Sequence, residues 1–127
     1  MKTLVRKNIF YKSALDDQTT GAKIDKMFGD RGLFGGGYTY TDWVEVNSID
    51  YITISTPGNA TDFGDLTVNR NGLAATSDGS RGVFGGGIDS STTVNTIDYI
   101  TISTPGNAYD FGDLTQDKTD LTATSGD

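Results

Sequence analysis

The sequence predicts an all-β protein built from two copies of one unit. The first observation is an internal repeat: residues 49–60 recur unchanged 48 positions later as residues 97–108. The copy continues, because residues 62–67 match 110–115 and residues 31–37 match 81–87 with a single Leu-to-Val difference. The second observation is that each copy alternates β-branched and aromatic runs with Gly, Pro, Asn and Asp turns.

Each unit is expected to contain four short strands. Residues 73–77 form the first strand, and Asp78-Gly79 after them is a strong hairpin signal. The second strand covers residues 81–85 and leads into a Gly triplet, which suits a bulge or a close backbone contact. The third covers residues 97–103 and ends at a Thr-Pro-Gly-Asn turn, and residues 110–114 make a shorter fourth strand.

The third strand is apolar on both faces. In the first unit Ile49 and Tyr51 point one way, while Ile52 and Ile54 point the other. A sheet of this kind has to be covered on both sides. A four-stranded antiparallel unit packed between like units is typical of a β-propeller blade, which we favour over a stacked solenoid turn.

The chain does not divide into two whole units, because its order of strands is displaced by one strand from that of the repeat. The first unit has strands two to four, the second has all four, and the last residues repeat the first strand. Residues 24–28 are long enough to be the missing strand, but Lys26 and Met27 fit the crowded propeller axis poorly. We therefore expect a C-terminal strand to complete the first blade of a neighbouring copy. The residues expected to exchange are Leu121, Thr122, Ala123, Thr124 and Ser125.

The repeat resembles the kelch repeat. Residues 34–37 and 84–87 stand in the place of the kelch Gly doublet, and Tyr51 and Tyr99 in the place of its Tyr, although Phe63 and Phe111 stand where kelch has Trp. The longer string from RGxFGGG to DFGDLT is similar to kelch-like repeats of tailed-bacteriophage structural and tail-fibre-type proteins. The resemblance implies a virion component. Propellers close with about four to eight blades and this chain encodes two, so we expect either a homo-oligomer or a fragment of a longer protein. A trimer of six blades is favoured by analogy with trimeric phage fibres.

Composition argues against catalysis. The chain has no His and no Cys, so the usual general base, thiolate nucleophiles and Cys–His zinc sites are missing. We expect a protein that is not an enzyme and that uses no cofactor and no metal. A propeller hydrolase would require a convergent acid and base, and the sequence offers only Asp residues in turn-like settings.

Charge and hydropathy limit the partners. The net charge is −7, and an acidic, Gly-rich body repels phosphate backbones, so nucleic-acid binding is not expected. The N-terminal sequence shows neither a signal peptide nor a membrane span.

Two domains are expected: an arm or adaptor at residues 1–30 and two blades at residues 31–127. Six Lys and Arg outnumber four Asp in the arm, which suits docking on other virion proteins; a partly disordered terminus is the equal alternative.

Two recurring charged groups have structural interpretations. Asp62, Asp65 and their copies flank a Gly and are expected to serve turns rather than bind a cation. Arg31 and Arg81 precede each second strand and are expected to pair with a repeat Asp such as Asp50 or Asp98.

The first unit alone carries an aromatic insertion. Tyr38, Tyr40, Asp42 and Trp43 lie in a predicted loop that is two residues longer than its counterpart, and Trp43 is the single Trp of the chain. Such rings suit stacking on a host-surface glycan or a protein partner, and equally a buried subunit interface. The leading hypothesis is a phage fibre or decoration module; the alternative is a stand-alone lectin-like propeller.

Overall fold

The computed structural model describes residues 29–126, which belong to one compact unit apart from the first two. This part of the chain is all-β and contains no helix, as the sequence predicted. The predicted N-terminal arm, apart from its last two residues, and the candidate strand at residues 24–28 lie outside the described residues. The strands are β1 Arg31–Thr39, β2 Val44–Thr53, β3 Thr61–Asp65, β4 Ala74–Ser77, β5 Arg81–Gly85, β6 Ile88–Asp89, β7 Thr92–Thr93, β8 Thr96–Thr101 and β9 Tyr109–Asp113.

These strands form two main antiparallel sheets. The first sheet has the order β1-β2-β3, and the second has the order β4-β5-β8-β9. Strands β6 and β7 form a separate short hairpin. The four-stranded antiparallel arrangement expected for a complete unit is therefore present in the second sheet, and the first sheet has three strands among the described residues.

The two sheets use the same strand register. Arg31 lies opposite Thr53 in the first sheet, as Arg81 lies opposite Thr101 in the second. The pairing with the last strand is shifted at Ile49/Asp50 in one sheet and at the corresponding positions in the other. Identical sequence therefore produces identical local geometry, bulge included.

The Gly triplets allow a close approach between backbones. The Gly37 amide donates to the Arg70 carbonyl oxygen at 2.9 Å, and the Gly87 amide donates to the Lys118 carbonyl oxygen at 2.7 Å. Gly36 has a φ of +71°, and a Cβ there would lie 2.7 Å from the Arg70 carbonyl oxygen. The predicted close backbone contact is confirmed, and it anchors the segment that leaves each sheet after its last strand.

The β4–β5 turn is held by the side chain of Asp78. Its carboxylate accepts hydrogen bonds from the amides of Ser80 and Arg81 at 2.8 Å and 2.7 Å. The bond from the Arg81 amide and then that from Ser80 lower the pKa of Asp78 below its ordinary value. The Asp-Gly hairpin predicted from the sequence is thus present.

The hydrophobic core lies between the two sheets. Its buried members come from both units: Ile49, Phe63, Leu66, Phe84 and Ile100. A Cβ on Gly35 would lie 2.8 Å from the Phe84 ring, so this ring packs directly on the backbone of the first sheet. Each sheet therefore covers one face of the other, and the opposite face of each is uncovered by the described residues.

Gly36→Ala is expected to destabilise the protein by about 1–2 kcal/mol or more, because a Cβ at positive φ is strained and meets the Arg70 carbonyl. Gly58→Ala is the control, since no atom lies within 4 Å of a Cβ there. Urea unfolding of both variants measures the difference. Equal stability of the two would contradict the close-contact interpretation.

Candidate functional site

The aromatic insertion forms an exposed cluster at the tip of the β1–β2 hairpin. The Tyr38 and Tyr40 ring centroids are 5.2 Å apart, and those of Tyr40 and Trp43 are 5.6 Å apart, both edge to face. Tyr40 is 73% and Trp43 67% exposed. Asp42 lies in the same turn and is also exposed. The structure thus brings the four predicted binding residues together; we call them the aromatic cluster.

Local backbone geometry sets the cluster in place. Strand β1 ends at Thr39 and β2 begins at Val44, so the first two residues of the predicted loop at residues 38–43 are strand and the other four form a turn. Trp43 closes the turn with a φ of +58°, in the left-handed region that costs a bulky residue energy. The second unit has only the β6–β7 hairpin here, turned by Ser90 and Ser91. The aromatic cluster therefore occurs once in the two repeats.

The aromatic cluster offers surface for stacking. Edge-to-face contacts hold each ring against its neighbour, which limits the side-chain entropy lost when a ligand binds. The tyrosine hydroxyls and the Asp42 carboxylate add hydrogen-bonding groups. Rings and polar groups in this combination suit the recognition of a sugar ring or a protein surface.

A second polar feature lies between the sheets. The buried Asp98 carboxylate on β8 accepts hydrogen bonds from Thr67, through the amide at 3.0 Å and the hydroxyl at 2.6 Å. Arg70 donates to the same carboxylate at 3.0 Å and to the Phe84 carbonyl oxygen at 3.3 Å. Thr67 and Arg70 follow the first sheet and Asp98 belongs to the second, so this ion pair fixes how the sheets meet.

The ion pair is fully buried and incompletely satisfied. Arg70 Nε and Nη1 have no hydrogen-bond partner among the described residues. Desolvation lowers the pKa of Arg70, and the Asp98 carboxylate opposes that shift. A buried ion pair of this kind adds specificity more readily than net stability.

The expected partner of the recurring arginines was wrong. Asp98 pairs with Arg70, while the Arg81 guanidinium lies over the Tyr99 ring at 4.6 Å. Arg31 lies over Tyr51 at the same distance and donates to the Ile102 carbonyl oxygen at 2.7 Å. Each repeated Arg thus makes a cation–π contact with the repeat Tyr. The basic residue that pairs with Asp98 lies instead in the segment after β3, where the second unit has Lys118.

The turn role expected for the paired Asp residues was also wrong. Asp62 and Asp65 lie within β3, and Asp110 and Asp113 lie within β9. No cluster of three or more potential metal ligands occurs in residues 29–126. The intervening Gly residues sit at the strand bulge, which explains the Asp-Phe-Gly-Asp spacing without a turn.

The predicted exchange residues lie outside any strand of the single chain. Leu121, Thr122, Ala123, Thr124 and Ser125 follow β9 as irregular structure. Leu121 lies beside Gly86 as Leu73 lies beside Gly36. After Leu73 the chain enters β4, which pairs with β5 of the next unit. The strand that corresponds to β5 in the first unit is β1, an edge strand among the described residues.

Comparisons with known proteins identify no family for this chain. No protein-family model matches the sequence, and no curated protein matches it significantly.

In residues 29–126 there is no helix long and apolar enough to cross a membrane.

Arg70→Met is expected to destabilise the protein by about 3–5 kcal/mol, because it leaves the Asp98 charge buried without a cation. Arg70→Met/Asp98→Asn should recover most of that loss, since the neutral amide can still accept from Thr67. Chemical denaturation at the lowest workable concentration measures both. Lys118→Met, at the exposed counterpart of Arg70, is the control and should be nearly neutral. A single variant as stable as wild type would show that the pair does not hold the sheets.

Proposed function

We propose that this chain is a non-enzymatic structural module of a tailed-bacteriophage virion, a fibre or decoration component. In this proposal the sheets are propeller blades, and several copies close the propeller together. The virion assignment is supported by the resemblance of the repeat string. The assembly is supported by one observation: β1 is an edge strand among the described residues, and residues 121–125 repeat the sequence that fills the corresponding edge of the second sheet.

The internal pairing gives the register of the exchanged strand. Ala74 lies opposite Gly85 and Thr76 lies opposite Val83. Moved to the corresponding repeat positions, Thr122 of one copy faces Gly35 of the next, and Thr124 faces Leu33. This exchange gives β1 a partner and removes an edge strand.

The number of blades limits the number of copies. Propellers close with about four to eight blades, so two blades per chain require two to four copies, and three copies give six. In this arrangement the basic N-terminal arm serves contacts with other virion proteins, and the aromatic cluster serves attachment to the host surface.

A lectin-like propeller is the second candidate, and the aromatic cluster favours it. Three rings in mutual contact, two of them mostly exposed, provide the apolar platform and polar rim on which sugar rings stack. In this case sugar binding would be the function of the protein, and the protein would not be a virion component.

A chain carrying Leu33→Cys and Thr124→Cys should form covalent oligomers under mild oxidation, because the exchanged strand places these positions opposite each other. Because there are no natural cysteines, any disulfide forms between the introduced residues. Leu33→Cys with Thr122→Cys is the control, two residues out of register. Non-reducing gels and light scattering measure the products. Cross-linking within one chain, or equal yields from both pairs, would contradict the exchange, as would an unchanged oligomer after deletion of residues 120–127.

Trp43→Ala is expected to abolish binding on a glycan array while leaving the oligomer mass unchanged, if the aromatic cluster binds sugar. Val44→Ala, beside it on the exposed strand end, is the control. Mass spectrometry of purified particles separates the two candidates: detection in virions supports the structural module, and glycan binding by a protein absent from particles supports the lectin.

A further inference from the structure

The two outer faces of the chain repeat the two halves of its internal interface. Facing the first sheet, the second sheet contributes Phe84, Asp98 and Ile100. The same positions of the first sheet, offset by 50 or 48 residues, are Phe34, Asp50 and Ile52. Phe84 is 4% exposed and Phe34 is 61% exposed. We call this uncovered surface the entry face.

The other half of the interface is repeated on the second sheet. The first sheet and the segment after it contribute Phe63, Thr67 and Arg70 to the internal contact. Their counterparts 48 positions later are Phe111, Thr115 and Lys118, and all three are exposed. Phe63 is 3% exposed and Phe111 is 53% exposed. We call this surface the exit face.

The backbone presents the exit-face residues as it presents their buried counterparts. The Arg70 amide donates to the Val46 carbonyl oxygen at 3.2 Å, and the Lys118 amide donates to the Val94 carbonyl oxygen at the same distance. The Leu66 amide donates to the Asn47 carbonyl oxygen at 2.7 Å. The Leu114 amide donates to the Asn95 carbonyl oxygen at the same distance. The backbone that carries Lys118 in the second unit is therefore held in the same way as the backbone that carries Arg70 in the first.

We propose that a second copy of this chain docks its entry face on the exit face of the first and repeats the internal interface. Asp50 of the incoming copy then accepts hydrogen bonds from Thr115 and Lys118, as Asp98 accepts them from Thr67 and Arg70. Phe34 packs over Gly85 as Phe84 packs over Gly35. This inference rests on the proposed self-assembly and adds the surface and the residues that form it.

Two further hydrogen bonds cross the contact within the chain, and the same residue types stand at the corresponding positions of the contact between copies. Arg31 donates to the Ile102 carbonyl oxygen; the corresponding pair is Arg81 and Ile54. The Asp65 amide donates to the Asn107 side chain; the corresponding pair is Asp113 and Asn59. Complementary shape, apolar surface and charge thus recur together, which a chance exposure of one Phe would not produce.

Among the residues named above for the two contacts, the cation is the one that differs. Arg70 is a planar guanidinium that reaches both Asp98 and the Phe84 carbonyl, whereas Lys118 offers a single, strongly hydrated ammonium. The contact between copies is therefore weaker than the contact within a chain, and added salt weakens it. This difference lets the chain fold before it assembles.

The test compares charge variants of the full chain by light scattering across a concentration series. Asp50→Lys or Lys118→Asp should each raise the dissociation constant at least about tenfold, and the double variant should recover assembly because it restores opposite charges. Lys118→Arg should tighten assembly. Asp89→Lys, in the β6–β7 hairpin, alters net charge equally and should assemble like wild type.

The outcomes are distinct. If wild type assembles and both single variants assemble equally well, the proposed interface is wrong and self-assembly stands. A wild-type chain that stays monomeric overturns both. Should Asp50→Lys destabilise the monomer while Lys118→Asp has no effect, the entry face is covered by the chain's own N-terminal residues and the inference fails. Circular dichroism confirms that each variant folds.

Discussion

Each sheet of this protein has apolar side chains on both of its faces, so neither sheet is stable unless both faces are shielded from water. The chain meets half of that requirement internally by packing the two sheets on each other. Burial of the aliphatic and aromatic core residues supplies most of the stabilisation at this contact, because apolar area removed from water dominates folding energetics. Phe34 and Phe111, which are 61% and 53% exposed, lie on the remaining two faces.

Apolar packing alone defines the relative position of the sheets weakly, and the Asp98 ion pair restricts it together with the Arg31–Ile102 and Asp65–Asn107 hydrogen bonds. A carboxylate buried at the centre of the contact is tolerated only where the Thr67 groups and the Arg70 cation meet it. Displacement by one strand residue would leave a charge without its counterion. The apolar residues therefore provide affinity between sheets, and the polar group selects one relative position.

The repeat made much of the fold predictable. Strands β4, β5, β8 and β9, the Asp78 turn and the close contact at the Gly triplet all follow from local propensity and turn chemistry. The partner of Asp98 did not, because ion pairs between sheets depend on the packing angle, which no local pattern specifies. Arg70 and Lys118 stand at the same repeat position, and this shared basic residue was the available signal. The residues of the aromatic cluster lie together, as their insertion indicated, and their role in binding stays a prediction. Tyr38 and Thr39 are strand rather than loop.

The insertion that makes the two units unequal has a consequence for recognition. In the proposed closed assembly, every second sheet bears one aromatic cluster, so the clusters would be spaced regularly around it. In the proposed trimer, three such sites held at fixed separations would meet a surface with an effective concentration far above that of free ligand, which would raise the overall strength of binding by orders of magnitude. Under that proposal, one exposed aromatic cluster per chain would be sufficient for firm but reversible adhesion. Avidity of this kind requires several ligands close together. The spacing of the aromatic clusters would therefore favour a surface that carries many ligands over a single free ligand.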